Sequence, residues 1–184
     1  MKRAGHQEIH GENIAQFEFS QQGWNPFKHY VDEDQVDLLL RRRRPSSNAP
    51  EYREVQVKWC RTWPREALSK WMRPLFTHTS WRQFDNDAFA NHRSGLFVAF
   101  VIPNAQQIYT GDIFMFRSQE FHELIQRAPV FKRGTTIKCF QLVCTQAGRW
   151  FLLLKRTKFS ELTPQTVHEI TATHRNFAVL ENNP

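Results

Sequence analysis

The chain has 184 residues, 40% of them hydrophobic and 16 of them Phe, so it can build a core and is not globally disordered. A formal net charge of +7 and a pI near 9.7 favour polyanionic partners without requiring them. Cys60, Cys139 and Cys144 are odd in number and lack a CxxC spacing, which argues against a disulfide framework and for a reducing, cytoplasmic setting.

In chain order, residues 6–22 read as a helix with Glu12, Ala15 and Phe19 on one row. Gly23 stops it, and Trp24-Asn25-Pro26 cannot continue it. No apolar run follows Met1-Lys2-Arg3, so no signal peptide is expected. A first strand begins at 27–30, and a polar turn at 32–34 leads into a strand that ends at Leu40. Residues 41–50, four arginines and a breaker-rich run, read as a hairpin loop. The partner strand covers about 52–59.

Pro64 opens a short helix that Pro74 ends, and 75–94 reads as irregular with a helical turn near 83–90. Residues 96–102 form a continuous apolar run, hence a central strand, and 113–116 form a shorter one. Ser118 reads as the N-cap of a helix carrying Phe121, Leu124, Ile125 and Ala128, with Glu120 and Glu123 on its solvated face. Residues 138–145 and 150–155 make a hairpin, and Thr163-Pro164 opens a last helix to about 173. The longest apolar runs are too short for a bilayer, so no membrane partner is expected. The order is that of an α/β protein, a central mixed β-sheet flanked by helices, in one domain over 1–184.

Two strands carry polar side chains where a core face is expected. Strand alternation places Gln35, Asp37 and Leu39 on one face, with Val36, Leu38 and Leu40 opposite. Glu54, Gln56 and Lys58 likewise share a face, with Val55 and Val57 opposite. Phosphodiester hydrolysis needs an activated water and neutralisation of charge at phosphorus. Mg²⁺ serves both with one or two carboxylates, because it favours oxygen ligands and keeps several waters. Asp37, the Gln56 amide oxygen and the Val57 backbone carbonyl are such oxygens, and Lys58 is a cation able to orient or deprotonate water. Glu12 joins them if the first helix packs with Glu12, Ala15 and Phe19 inward.

Gly11-Glu12, Gly23-Trp24, Asp34-Gln35-Val36-Asp37 and Gln56-Val57-Lys58, in that order, resemble the PD-(D/E)XK nuclease superfamily, in its Holliday-junction-resolvase-like and Mrr-type branch. The resemblance covers residues 5–60, with 95–180 as a sheet and helix extension. It implies a restriction-endonuclease-like core and a metal-dependent DNA endonuclease using Mg²⁺, with Mn²⁺ as substitute. By it Asp37 is the principal metal ligand, Gln56 stands at the second acid's position and Lys58 is the catalytic lysine. Glu12 assists metal or substrate placement. Val36 stands where the motif often has proline. Glu54 shares the face but lies about 7 Å along the strand from Gln56.

Arg41, Arg42, Arg43 and Arg44 read either as a solvated turn or as phosphate contacts on duplex or branched DNA. One site cuts one strand, so duplex cleavage calls for a homodimer. A chain this short leaves sequence specificity to a protein partner or does without it. Asp37 and Lys58 also fit a plain cross-strand ion pair. Two alternatives stay open: a nucleic-acid-binding protein on the same scaffold without catalysis, which Gln56 favours, and an interaction subunit with no nucleic acid. His6 and His10 lack the metalloprotease spacing and a third ligand, and most of the Phe and Trp residues suit a core. Trp59 and Trp63 are the candidates for base stacking.

Overall fold

The computed structural model describes residues 4–28, 36–85, 95–130, 134–154, 166–175 and 177–181. Helix α1 spans Ala4–Gln21 and buries Ala15 and Phe19 completely. Its end is built by Gly23 at φ +79°, with Trp24 N–H donating to Phe19 O (3.0 Å) and Gly23 N–H to Ser20 O (3.1 Å). This is the left-handed stop that glycine allows, closed by the apolar contact of Trp24 with Phe19.

Strands β1 (Asn25–Lys28), β2 (Leu38–Arg43) and β3 (Pro50–Trp59) form an antiparallel run. β4 (Thr62–Pro64) and β5 (Phe76–Asp85) then leave for a second sheet. The chain returns through β6 (Leu96–Pro103), parallel to β3, and β7 (Tyr109–Arg117), antiparallel to β6. Helix α2 (Ser118–Gln126), β8 (Ile137–Thr145), β9 (Trp150–Leu153), β10 (Val167–Ile170) and α3 (Ala172–Arg175) follow. The first sheet has the order β1-β2-β3-β6-β7 and the second β10-β9-β8-β5-β4. The protein is thus mixed α/β with two sheets and few helices.

One apolar cluster lies between the two sheets and under α2, built on Val98, Phe100, Phe114, Phe116, Phe121 and Phe140. A second lies on the other face of the first sheet, where Ala15, Phe19 and Trp24 meet Leu38, Leu40, Val55 and Val57. β6 is buried along its whole length, as its apolar run requires. Among the described residues no helix is long and apolar enough to cross a membrane.

Five expectations change. Arg41, Arg42 and Arg43 belong to β2, so the hairpin loop shrinks to 44–49, where Asn48 takes φ +56°. Residues 76–85, expected irregular, are a ten-residue strand paired along its length with β8. After Pro64 there is only a 3-10 turn, Arg65–Ala67, although Leu68 and Met72 are buried as their spacing suggests. Residues 167–170, expected helical, pair with β9 as β10, leaving α3 four residues long. Ser118 is the first helical residue rather than the cap, and the preceding Arg117 makes no capping side-chain bond. The expected turn at 32–34 and the residues at 86–94 and 155–165 lie outside the described residues.

α1 lies close on β3. A Cβ built on Gly11 would sit 3.1 Å from Trp59 Cβ. Gly11→Ala should stay within about 1 kcal/mol of wild type, the helix-propensity gain offsetting a small shift. Gly11→Leu should destabilise by about 1–3 kcal/mol, because the contact cannot open without moving the helix. Thermal denaturation checks this; a leucine variant melting with wild type would show that α1 does not rest on Trp59 as described.

Candidate active site at the start of β2

β2 begins with a break. Asp37 N–H donates to Val55 O (3.0 Å), although the strand register pairs Leu38 with Val55. That is a one-residue slip. Its consequence is visible in the packing: Val36 buries between the sheets, whereas Leu38 buries under α1. The expectation that Val36, Leu38 and Leu40 share one face therefore fails at Val36, and Asp37 is the residue at which the chain changes sides.

At this break the Asp37 carboxylate meets the backbone of β3. Val57 N–H donates to Asp37 Oδ2 at 2.6 Å. Backbone groups of β3 alternate between its two neighbours. Val55 O is taken by β2, while Glu54 N–H and Cys60 N–H go to Gly95 O and Val101 O on the β6 side. Val57 therefore points its N–H and carbonyl toward β2, at the level where β2 has not yet begun. The Asp37 carboxylate lies close to the plane of the sheet in that gap.

Gln56 and Lys58 flank Val57 and share the face toward the second sheet, opposite Val98 and Phe100 of β6. Gln56 is buried and Lys58 half-buried. Val57 projects to the other face, under α1. Asp37, Gln56, Val57 and Lys58 thus occupy adjacent positions around one gap. The oxygens these residues offer are a carboxylate, an amide and a backbone carbonyl, a set suited to a hard cation such as Mg²⁺.

Glu12 comes from the α1 side. It forms an ion pair with Lys28 at 2.7 Å. Lys28 is the register partner of Leu38, the residue after Asp37. Glu12 therefore faces inward as its row predicts, beside the gap, and it reaches Lys28 there. Sequence periodicity did not point to Lys28.

Arg82 was also missed. It projects from β5, the strand read as irregular, and donates from Nη1 to Trp59 O at 2.8 Å, one residue beyond Lys58. An alternation of Thr77, Thr79 and Trp81 against His78, Ser80 and Arg82 was the available signal for a strand there. Between Lys58 and Arg82 lies Cys60, whose thiol burial pushes up to about 11 despite both cations. It is therefore a neutral packing group and not a nucleophile at neutral pH.

The four arginines separate in role. Arg43 is six residues from Asp37, about 20 Å along the strand. Arg42 is committed to protein: it donates from Nε to Glu51 (2.9 Å) and from both Nη atoms to Glu181 (2.6 Å each), and it stacks 4.1 Å over Trp24. The hydrogen bond to Glu181 raises the Arg42 pKa above its ordinary value and lowers that of Glu181. Arg53 pairs with the other oxygen of Glu51, and burial pulls its pKa down. Arg41 is half-buried, and Arg43 and Arg44 are exposed.

Trp59 is buried, with its ring 5.1 Å from that of His10, so it is part of the core and not a stacking platform. Trp63 is half-buried with the Arg61 guanidinium 5.5 Å from its ring.

No family model matches this sequence, and no curated protein matches it significantly. Among solved structures, that of a bacterial homing endonuclease, I-Ssp6803I, aligns at a TM-score of 0.47 and 13% identity, covering 98% of this chain and 93% of that one. A superposition of that quality fixes neither fold nor chemistry.

Proposed function

We propose that the chain is a Mg²⁺-dependent DNA endonuclease with a restriction-endonuclease-like core, Mn²⁺ serving as substitute. The observation that carries this reading is the hydrogen bond from Val57 N–H to Asp37 Oδ2, which fixes a carboxylate on the backbone of the residue between Gln56 and Lys58 in sequence. Asp37, the Gln56 amide oxygen and the Val57 carbonyl would hold the cation, which supplies Lewis acidity toward water and phosphate. Lys58 orients the attacking water and offsets negative charge that grows on the phosphoryl oxygens. Arg82 adds a second cation on the same side. Glu12, through Lys28, positions the α1 edge of the gap. Arg41, Arg43 and Arg44 contact phosphates at a distance from the cut, adding affinity without reading sequence. A homodimer would cut both strands of a duplex, and a protein partner would supply sequence specificity.

The test is cleavage of supercoiled, linear, single-stranded and branched DNA under Mg²⁺ and Mn²⁺. The expected result is nicked or linear product that chelation prevents. Salt-sensitive binding without product under either metal would leave the second reading, a nucleic-acid-binding protein on the same scaffold. Absence of any salt-dependent retention of DNA would overturn both.

The second reading has one specific support, the neutral Gln56 where an acid would bind the cation more strongly. Gln56→Glu should lower the Mg²⁺ concentration at half-maximal rate on the order of tenfold, since ligand charge sets affinity at such sites. Rate measured against Mg²⁺ decides it; an unchanged requirement removes Gln56 from the ligand set.

A further inference from the structure

A second cluster stands apart from the β2 gap, where α2, β10 and α3 meet. Glu120 of α2, His168 of β10 and His174 of α3 each offer one ligand atom, and these atoms all lie within 4.8 Å of one another. The sequence hides it. Glu120 reads as a solvated helix position and His168 as part of a helix, yet Glu120 is half-buried and His174 nearly fully buried. We propose that Glu120, His168 and His174 form a site for a divalent transition metal of the Zn²⁺ type, which fastens the C-terminal segment to α2.

The donor set is two imidazoles and one carboxylate, which suits Zn²⁺ and its neighbours rather than Mg²⁺. Four-coordinate zinc with bonds of about 2.0–2.1 Å sets its ligand atoms about 3.3 Å apart. His174 Nε2 and Glu120 Oε1 are already 3.0 Å apart. His168 closes the remaining gap by rotation of its side chain. The Phe116 ring lies 4.6 Å from the His174 ring and 6.4 Å from that of His168, so both imidazoles are held against one aromatic wall. His168 Nε2 is buried and has no hydrogen-bond partner among the described residues. A buried ring nitrogen in that condition calls for a ligand. Glu120 is 36% exposed at its side chain, so water has access for a fourth position.

The surroundings also supply a partner for the outer nitrogen of His174. Its Nδ1 lies 3.2 Å from Thr171 Oγ1 and 3.3 Å from Thr171 N, which donates to it. With Nδ1 accepting, the neutral ring carries its proton on Nε2 and gives it to Glu120. Metal on Nε2 would shift that proton to Nδ1, where Thr171 Oγ1 accepts it and Thr171 N–H gives up its acceptor; the ring stays neutral and no net proton is released from it. Beyond α3 the chain continues into Val179 and Leu180, which bury against the opposite face of the first sheet, and Glu181, which holds Arg42. A metal here would tie that closing segment to the helix over the other core.

The experiment uses the full metal-stripped chain carrying Asp37→Ala, so that the β2 gap does not contribute. Calorimetric titration with Zn²⁺ should show one equivalent bound, Co²⁺ should give the visible bands of a four-coordinate N/O site, and Zn²⁺ should raise the melting temperature. His168→Gln should lose the binding and the thermal shift, and Thr171→Val should weaken binding about 10–100-fold as an outer-sphere change does. In the parent chain the ring ¹⁵N resonances of His168 and His174 should move on Zn²⁺ addition, a readout that needs no variant to fold. Zn²⁺ that shifts only His6 and His10, or none, overturns the proposal. So does a folded His168→Gln chain that binds Zn²⁺ as the parent does.

Discussion

Asp37→Asn should abolish Mg²⁺-dependent DNA cleavage while the protein melts with wild type. The pairing of those two outcomes follows from the two jobs of the carboxylate. As a backbone partner, it accepts from Val57 N–H at 2.6 Å. An amide oxygen accepts the same bond, so asparagine preserves the start of β2. As a charge, it brings a carboxylate to β3 at this gap, and asparagine removes it. The expected loss is about 10²-fold or more in rate, the scale seen when one element of transition-state charge stabilisation goes. Lys58→Ala should lose about 10²–10⁴-fold, as expected for a group that handles a proton or its charge. Asp37→Ala adds a structural penalty of about 1–3 kcal/mol, because Val57 N–H loses its acceptor. Plasmid nicking and thermal melts, run on the same preparations, separate the effects. If both Asp37→Asn and Lys58→Ala cut DNA as wild type does, the gap at β2 is a structural feature and the chemistry lies elsewhere.

Glu51→Ala should destabilise the fold by about 3–5 kcal/mol, a large share of an ordinary domain's stability. Glu51 is 6% exposed and stands between Arg42 and Arg53, accepting from both. Arg53 is 8% exposed and stands 6.0 Å from the Trp24 ring, while Arg42 stacks on that ring at 4.1 Å. Taking the carboxylate away leaves two guanidiniums facing each other and removes from the buried Arg53 the carboxylate that accepts from it. The double variant Glu51→Leu with Arg53→Met should recover much of the loss, because removing both partners leaves no buried charge unpaired. Denaturant unfolding measures this. A Glu51→Ala chain with the wild-type midpoint would mean that the network is solvated and contributes little.

This network also explains why a basic run need not be a binding patch. Four consecutive arginines look alike in the sequence, but strand alternation turns Arg42 toward Glu51 and Trp24 and leaves Arg43 exposed. Only the pairing of β2 with β3 distinguishes them.

Much of the frame was legible because it rests on local chemistry. Gly23 at positive φ ends α1 where the sequence places a stop, and Ala15 and Phe19 bury as their spacing requires. β6 follows from an unbroken apolar run, α2 from Phe121, Leu124 and Ile125, and the β8–β9 hairpin from its turn residues. The order of Glu12, Asp37, Gln56 and Lys58 along the chain already suggested a site, and the strand carrying Gln56 and Lys58 could be read from alternation alone.

What periodicity could not supply were features fixed by distant partners. β5 places Ser80 and Arg82 in its alternation, so its pattern looks polar until β8 lies beside it. β10 has helix-compatible residues and becomes a strand because β9 offers an open edge. The slip at Asp37 breaks the very alternation used to assign its face, and it arises where backbone bonds to Val55 and Val57 outweigh a regular start to the strand. Glu120, His168 and His174 come together from three elements, the first and last 54 positions apart in sequence. Sequence thus determined which segments are stiff and which residues have suitable chemistry. Tertiary pairing decided which of them meet, because contacts across a sheet depend on register, and register depends on strands that local composition does not specify.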